Sequence, residues 1–130
     1  MWYRFRIKHY EVGQMKTMLI AAGSEIITQE LVRVFQSTYQ VYACSRGDDA
    51  LQILREIRPD VLIINLSLPN ITGLSVLQYT AYKSPVIIAL TNYLSDRILQ
   101  AVQAVGVGAL IRFPCSIECI ISHLSRLLNK

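Results

Sequence analysis

The sequence predicts an α/β domain built on a doubly wound, five-stranded parallel sheet with five helices, and three observations carry that reading. Short apolar runs recur at residues 18–22, 41–44, 61–64, 85–90 and 109–111. Each is followed by a stretch whose apolar residues are spaced as on one face of a helix. The connections between runs have the length of crossovers rather than hairpins, which makes neighbouring strands parallel and places helices on both faces. No internal repeat, linker or low-complexity segment interrupts the alternation, and the 130 residues are expected to hold one domain with its own core.

Each element has a local reason. Residues 2–10 alternate Arg4, Arg6 and Lys8 with Tyr3, Phe5 and Ile7, the period of a strand with one wet face. That stretch is a basic, aromatic arm for phosphate or acidic lipid, an extra edge strand, a packing arm, or sequence upstream of a start at Met15. Residues 1–16 are therefore set apart as an extension, and 17–130 as the domain. The run 18–22 ends at Gly23, and Ser24 is an N-cap for a helix with Ile27, Leu31, Val34 and Phe35 on one stripe. After strand 41–44, Arg46-Gly47 turns the chain. Asp48 and Asp49 suit the positive end of a helix carrying Leu51, Ile53, Leu54 and Ile57, which Pro59 stops.

Strand 61–64 is continuously apolar, with Val61, Ile63 and Ile64 β-branched, as a strand covered on both faces should be. Gly73 opens a short helix (Leu74, Val76, Leu77), and residues 85–90 form a fourth strand ending at Thr91. Residues 94–105 are helical by spacing, with Asp96 early, and Gly106 and Gly108 follow as punctuation. Strand 109–111 closes at Phe113-Pro114. Ser116 caps a last helix whose Ile117, Ile120, Ile121, Leu124, Leu127 and Leu128 repeat at helical intervals, with Arg126 and Lys130 at its negative end.

Composition narrows the function classes. Apolar residues make up 52% and charged residues 17%, yet no apolar run approaches the roughly 20 residues of a membrane span. The first ten residues lack the apolar centre and cleavage site of a signal peptide. Cys44, Cys115 and Cys119 are odd in number and show no CxxC spacing, which suits reduced thiols and a cytoplasmic setting. Of the net charge of +4, residues 1–16 supply +3 through Arg4, Arg6, Lys8 and Lys16 against Glu11. The rest is close to neutral and offers no electrostatic footprint for nucleic acid.

Chemistry in an open parallel sheet collects at the carboxyl ends of its strands. There the loop Asn65-Leu66-Ser67-Leu68-Pro69-Asn70-Ile71-Thr72-Gly73 sets its proline and glycine at the offsets of a D-x-x-x-P-x-x-x-G motif. Thr91 ends the next strand, and Gly106-Val107-Gly108-Ala109-Leu110-Ile111-Arg112-Phe113-Pro114 aligns with a segment that normally ends in Lys-Pro. With these motifs, residues 17–130 resemble the receiver domain of bacterial response regulators, the CheY-like superfamily. The resemblance implies a flavodoxin-like fold with strand order 2-1-3-4-5. It also implies a cis peptide at Phe113-Pro114 and an output surface on the fourth helix, fifth strand and fifth helix. Arg97, Gln100, Ala101, Leu110, Arg112 and Ile117 are the candidates on that surface.

By the same resemblance the phosphoacceptor aspartate corresponds to Asn65, and the acidic pair to Ala22-Gly23, or Gly23-Ser24 after a slip of one. The lysine corresponds to Phe113 and the switch aromatic to Leu110; only Thr91 keeps its type. Phosphoryl transfer needs an ionised carboxylate as nucleophile and a divalent cation to neutralise the phosphoryl oxygens. Magnesium wants hard, preferably anionic oxygens. Here the chain offers the Asn65 side-chain oxygen and the Ser67 carbonyl, with Glu25 the one nearby carboxylate. Carboxylates and lysine have gone together, which spares the fold an unpaired buried ammonium.

The expectation is an atypical, phosphorylation-independent receiver in bacterial signal transduction or transcription control, not an enzyme, with no metal or cofactor. It would act by protein contact or homodimerisation through the output surface, or with a linked effector domain, without itself binding nucleic acid or membrane. The alternatives are a module holding a small molecule near Asn65, Thr91 and Phe113, and a conventional phosphoacceptor using another residue. Ser24 and Ser67 have no histidine near them in the inferred fold, His9 and His123 being elsewhere. Cys115 and Cys119 have too few companions for a metal, and Gly106-x-Gly108 lacks the third glycine of a dinucleotide site. Tyr79, Tyr82 and Tyr93 are placed at the rim of the cleft or in ordinary packing.

Overall fold

Both faces of the sheet are apolar, so every parallel strand sends alternate residues into one of two cores. The computed structural model describes residues 2–5, 15–69, 71–80 and 86–129. Along the chain run β1 (Trp2–Phe5), β2 (Lys16–Ala21), α1 (Glu25–Phe35), β3 (Tyr39–Cys44), α2 (Gly47–Glu56), β4 (Val61–Asn65) and α3 (Gly73–Gln78). β5 (Val86–Thr91), α4 (Asp96–Val105), β6 (Ala109–Arg112) and α5 (Ile117–Leu128) complete it. The alternation over residues 6–10, His9, Asn70, Tyr82, Pro85 and Lys130 lie outside the described residues.

The strands lie in the order β1-β3-β2-β4-β5-β6. β2 to β6 are parallel, and counted alone they give the order 2-1-3-4-5. β1 pairs antiparallel with β3, Trp2 opposite Cys44 and Phe5 opposite Val41. The sheet thus has one strand more than the five predicted. The flavodoxin-like doubly wound architecture is otherwise as read from the sequence.

On one face Met18, Ile20, Val41, Ile63, Ile88 and Leu90 pack against Leu31, Val32 and Phe35 of α1 and Ile120 and Leu124 of α5. On the other Leu19, Leu62, Ile64 and Ile87 meet Ile53 and Leu54 of α2, Val76 and Leu77 of α3 and Val102 of α4. Ser24, Thr72, Ser95 and Ser116 each accept a hydrogen bond from the backbone N–H three residues on, capping α1, α3, α4 and α5. Ser95 holds extended backbone as a cap, so α4 starts at Asp96 and not at residue 94. α2 has no side-chain cap. Instead the Gly47 N–H donates to the Pro69 carbonyl at 2.9 Å, which ties the β4–α3 loop to the start of that helix.

Candidate functional site

Because β2, β4, β5 and β6 are parallel, their carboxyl ends share one edge of the sheet, and this edge gathers Ala22, Gly23, Asn65, Ser67, Thr91 and Phe113. Two bonds carry the ladder past the strand ends: Leu66 N–H to the Leu90 carbonyl at 2.8 Å, and Phe113 N–H to the Thr91 carbonyl at 2.7 Å. Asn65, the last residue of β4, is 5% exposed. Its Nδ2 donates to the Ala22 carbonyl at 3.1 Å, and its Oδ1 accepts from the Ser67 N–H at 2.8 Å. A carbonyl can only accept and a backbone N–H can only donate, so the two partners fix the orientation of the amide. The bond to Ala22 requires an N–H, which a carboxylate at this position could not supply.

Two glycines press on Asn65, Gly23 on its side chain and Gly73 on its backbone. Gly23 holds φ +76°, and a Cβ there would stand 3.2 Å from Asn65 Nδ2. A Cβ at Gly73 would collide with the Asn65 carbonyl, while the Gly73 N–H donates to the Leu66 carbonyl at 3.1 Å. Ala22 is fully buried, and Ser67 is exposed with its N–H committed to Asn65. Thr91, 1% exposed, is occupied locally: its Oγ1 donates to the Tyr93 carbonyl at 2.8 Å and accepts from the Tyr93 N–H at 3.2 Å. Phe113 is half-buried and packs on the α1/α5 core, and the Phe113-Pro114 peptide is cis, as expected. Among the described residues, no group of three His, Cys, Asp or Glu is arranged to hold a metal ion.

Of the candidates on the output surface, Arg97, Gln100 and Arg112 are exposed, and Ala101 and Leu110 are half-buried. Leu110 packs toward the core shared by α2, α3 and α4. Ile117 is not a surface residue. It is 8% exposed and sits in the α1/α5 core with Ile111 and Ile120, because the Ser116 cap turns the first residue of α5 inward. Tyr93 stands 69% exposed beside Thr91, whereas Tyr79 lies away from this edge, its ring 5.7 Å from the Arg55 guanidinium.

Asp48, its partner Arg46 and Cys44 depart from ordinary titration near the edge. Asp48 forms a fork with Arg46, Nε to Oδ1 at 3.1 Å and Nη2 to Oδ2 at 3.0 Å, which lowers its pKa to about 2. Burial foremost, and then the Asp49 charge, push the Cys44 thiol up to about 12. One grouping was missed in the sequence. His123 is four residues beyond Cys119 on α5, the spacing that brings side chains together on a helix. Its Nδ1 lies 2.8 Å from the Cys119 carbonyl and 3.7 Å from the Cys119 sulfur.

Comparison with known proteins places this geometry. The family model described as "Response regulator receiver domain" matches residues 18–125. The probable transcriptional regulatory protein TcrX of Mycobacterium tuberculosis is 23% identical over 91% of this chain, which spans only about half, 52%, of that relative's length. The polar-differentiation response regulator DivK of Brucella anthropi is 24% identical over 88% of this chain and 97% of its own. Among solved structures, the chemotaxis response regulator CheY4 of Vibrio cholerae superposes with a TM-score of 0.76. Its identity is 27%, over 88% of this chain and 99% of the other. No helix among the described residues is long and apolar enough to cross a membrane. A doubly wound sheet in the order 2-1-3-4-5, a hydrogen-bonded polar edge at the carboxyl ends of its strands and a family match over residues 18–125 lead to one conclusion: the chain is a member of the response regulator receiver domain family, the receiving module of two-component signalling.

Proposed function

We propose that this receiver domain acts through protein–protein contact and without phosphorylation at the end of β4. The observation that carries the reading is Asn65: a neutral amide, buried, with both ends hydrogen-bonded to backbone. A phosphoacceptor must present a free, ionised oxygen to the incoming phosphorus. Here the side-chain oxygen is taken up by the Ser67 N–H, and the other end is a nitrogen facing a carbonyl. No metal-holding cluster stands among the described residues to neutralise phosphoryl oxygens. Thr91 spends its hydroxyl on Tyr93. The edge is built as a closed, neutral joint between β2 and β4, and the domain has no catalysis of its own.

The partner face in this reading is α4, β6 and the start of α5, where Arg97, Gln100 and Arg112 are exposed and Ala101 and Leu110 half-buried. A second copy of the chain or an effector domain would sit there, in bacterial signal transduction or transcription control. Incubation with acetyl phosphate and Mg²⁺, followed by intact mass spectrometry under mildly acidic conditions, tests the proposal. The expected spectrum is unchanged. A phosphoryl adduct that is lost in base, and that maps to the carboxyl edge, would overturn it.

A further inference from the structure

An outermost strand presents a row of backbone N–H and C=O groups to any other strand that approaches, so a sheet has to protect both its edges. The two edges of the parallel unit differ in this respect. β6, at one end of the strand order, is short and ends on the exposed Arg112, with Pro114 two residues on. Short length, a charge and a nearby proline are the usual protection of an edge. β3, at the other end of the parallel unit, has none of them. Its sequence Tyr39-Gln40-Val41-Tyr42-Ala43-Cys44 holds no charged residue and no proline, and its pairing with β2 runs from Tyr39 to Ala43 without a bulge. Tyr39, Val41 and Tyr42 are residue types that favour further pairing. It is on this edge that β1 lies, antiparallel to strands that are otherwise parallel, from Trp2 opposite Cys44 to Phe5 opposite Val41. β1 then becomes the outermost strand, and it brings Arg4, within a leader of net charge +3 over residues 1–16.

We propose that β1 is a guard carried by the chain itself, and that the β3 edge beneath it is a latent self-association surface whose partner is β3 of a second copy. Two features single out a second copy. The outer side of β3 accepts an antiparallel strand, and two identical edges related by a two-fold axis meet antiparallel. β3 is also uncharged, so no like charges oppose its own copy. The guarded sheet differs on that count: two β1 strands brought together would set the like charges of Arg4 and of the basic leader against each other. β1 is the strand lifted at least cost, being terminal, four residues long and paired on one side. Pairing at β3 extends the sheet from one copy into the next, at the opposite end from β6, and is independent of Asn65.

Proline substitutions in the whole chain test this. An antiparallel strand bonds one neighbour through alternate residues. Of Tyr3→Pro and Arg4→Pro, one therefore removes an N–H bonded to β3 and the other an N–H directed away from it. Light scattering from micromolar to millimolar concentration should give the parent and one variant the same mass profile, with circular dichroism reporting on the fold. The other variant, and the double variant, should move toward twice that mass as concentration rises. In that associated form the β3 amides should exchange several-fold more slowly than after dilution, and an added peptide of residues 1–10 should reverse the association. One profile shared by the parent and every variant would overturn the proposal. So would an associated form whose β3 amides exchange as in the dilute one, since its contact then lies elsewhere. Loss of the fold in both single variants would overturn it as well, because a guard can be lifted without undoing the sheet.

Discussion

At Asn65 the difference between an amide and a carboxylate is one hydrogen-bond donor, and the site turns on it. Asn65→Asp would set a carboxylate oxygen against the Ala22 carbonyl in a buried place. The variant is expected to lose about 1–3 kcal/mol at neutral pH. Burial and that carbonyl favour the protonated acid, so the folded pKa rises above the unfolded value. The penalty is then absent below about pH 4 and grows as pH rises through the folded pKa. Urea denaturation at pH 5 and pH 7.5 should show the smaller loss at pH 5; equal or greater stability than the parent would contradict the geometry. Asp48 has the opposite sign. The Arg46 fork depresses its pKa to about 2, so its contribution is present above pH 4 and disappears as pH falls toward 2. Asp48→Asn should flatten that acid limb by lowering stability slightly near neutrality while leaving it unchanged near pH 2. Identities at the crevice were legible from motif offsets alone. The hydrogen bonds that close it were not, since Ala22 and Asn65 are 43 residues apart. Ile117 was misplaced by the resemblance, which set it on the output surface, although helical spacing had it on the apolar stripe of α5; the Cys119–His123 spacing was there to be read.

The parallel strands were readable at the scale of elements because a strand buried on both faces is continuously apolar. Their ends were less so. β2 begins at Lys16 and β3 at Tyr39, ahead of the apolar runs, because backbone pairing sets those limits: Lys16 lies opposite Tyr39 and Thr17 opposite Gln40. Gly47 is a sharper case. Local sequence suggested a turn, but the reason for a glycine is tertiary: a Cβ there would collide with the Ile71 carbonyl of the β4–α3 loop. Gly47→Ala is therefore expected to cost about 3 kcal/mol by pushing that loop off α2. Gly106→Ala, at φ +89° with open space around it, should cost only about 1 kcal/mol, the strain of a left-handed residue. Denaturant midpoints of the two variants check this, and a reversed order would contradict the packing of the loop.

For the molecule as a whole, the alternation of strand and helix and the crossover length of the connections sufficed to fix the class, and the resemblance carried by the loop motifs narrowed it to one topology. What could not be read was the partner of β1, because an antiparallel pairing with β3 joins Trp2 to Cys44 across the whole first βα unit. The functional account rests on a carboxyl edge that is neutral and already bonded to itself. Amide NMR during titration with Mg²⁺ and beryllofluoride, the mimic of an aspartyl phosphate, tests that claim most directly. The account predicts that the signals of Asn65, Leu66, Ser67, Thr91 and Tyr93 stay where they are throughout. Saturable shifts confined to those residues would show a phosphoryl site still at work and would contradict it.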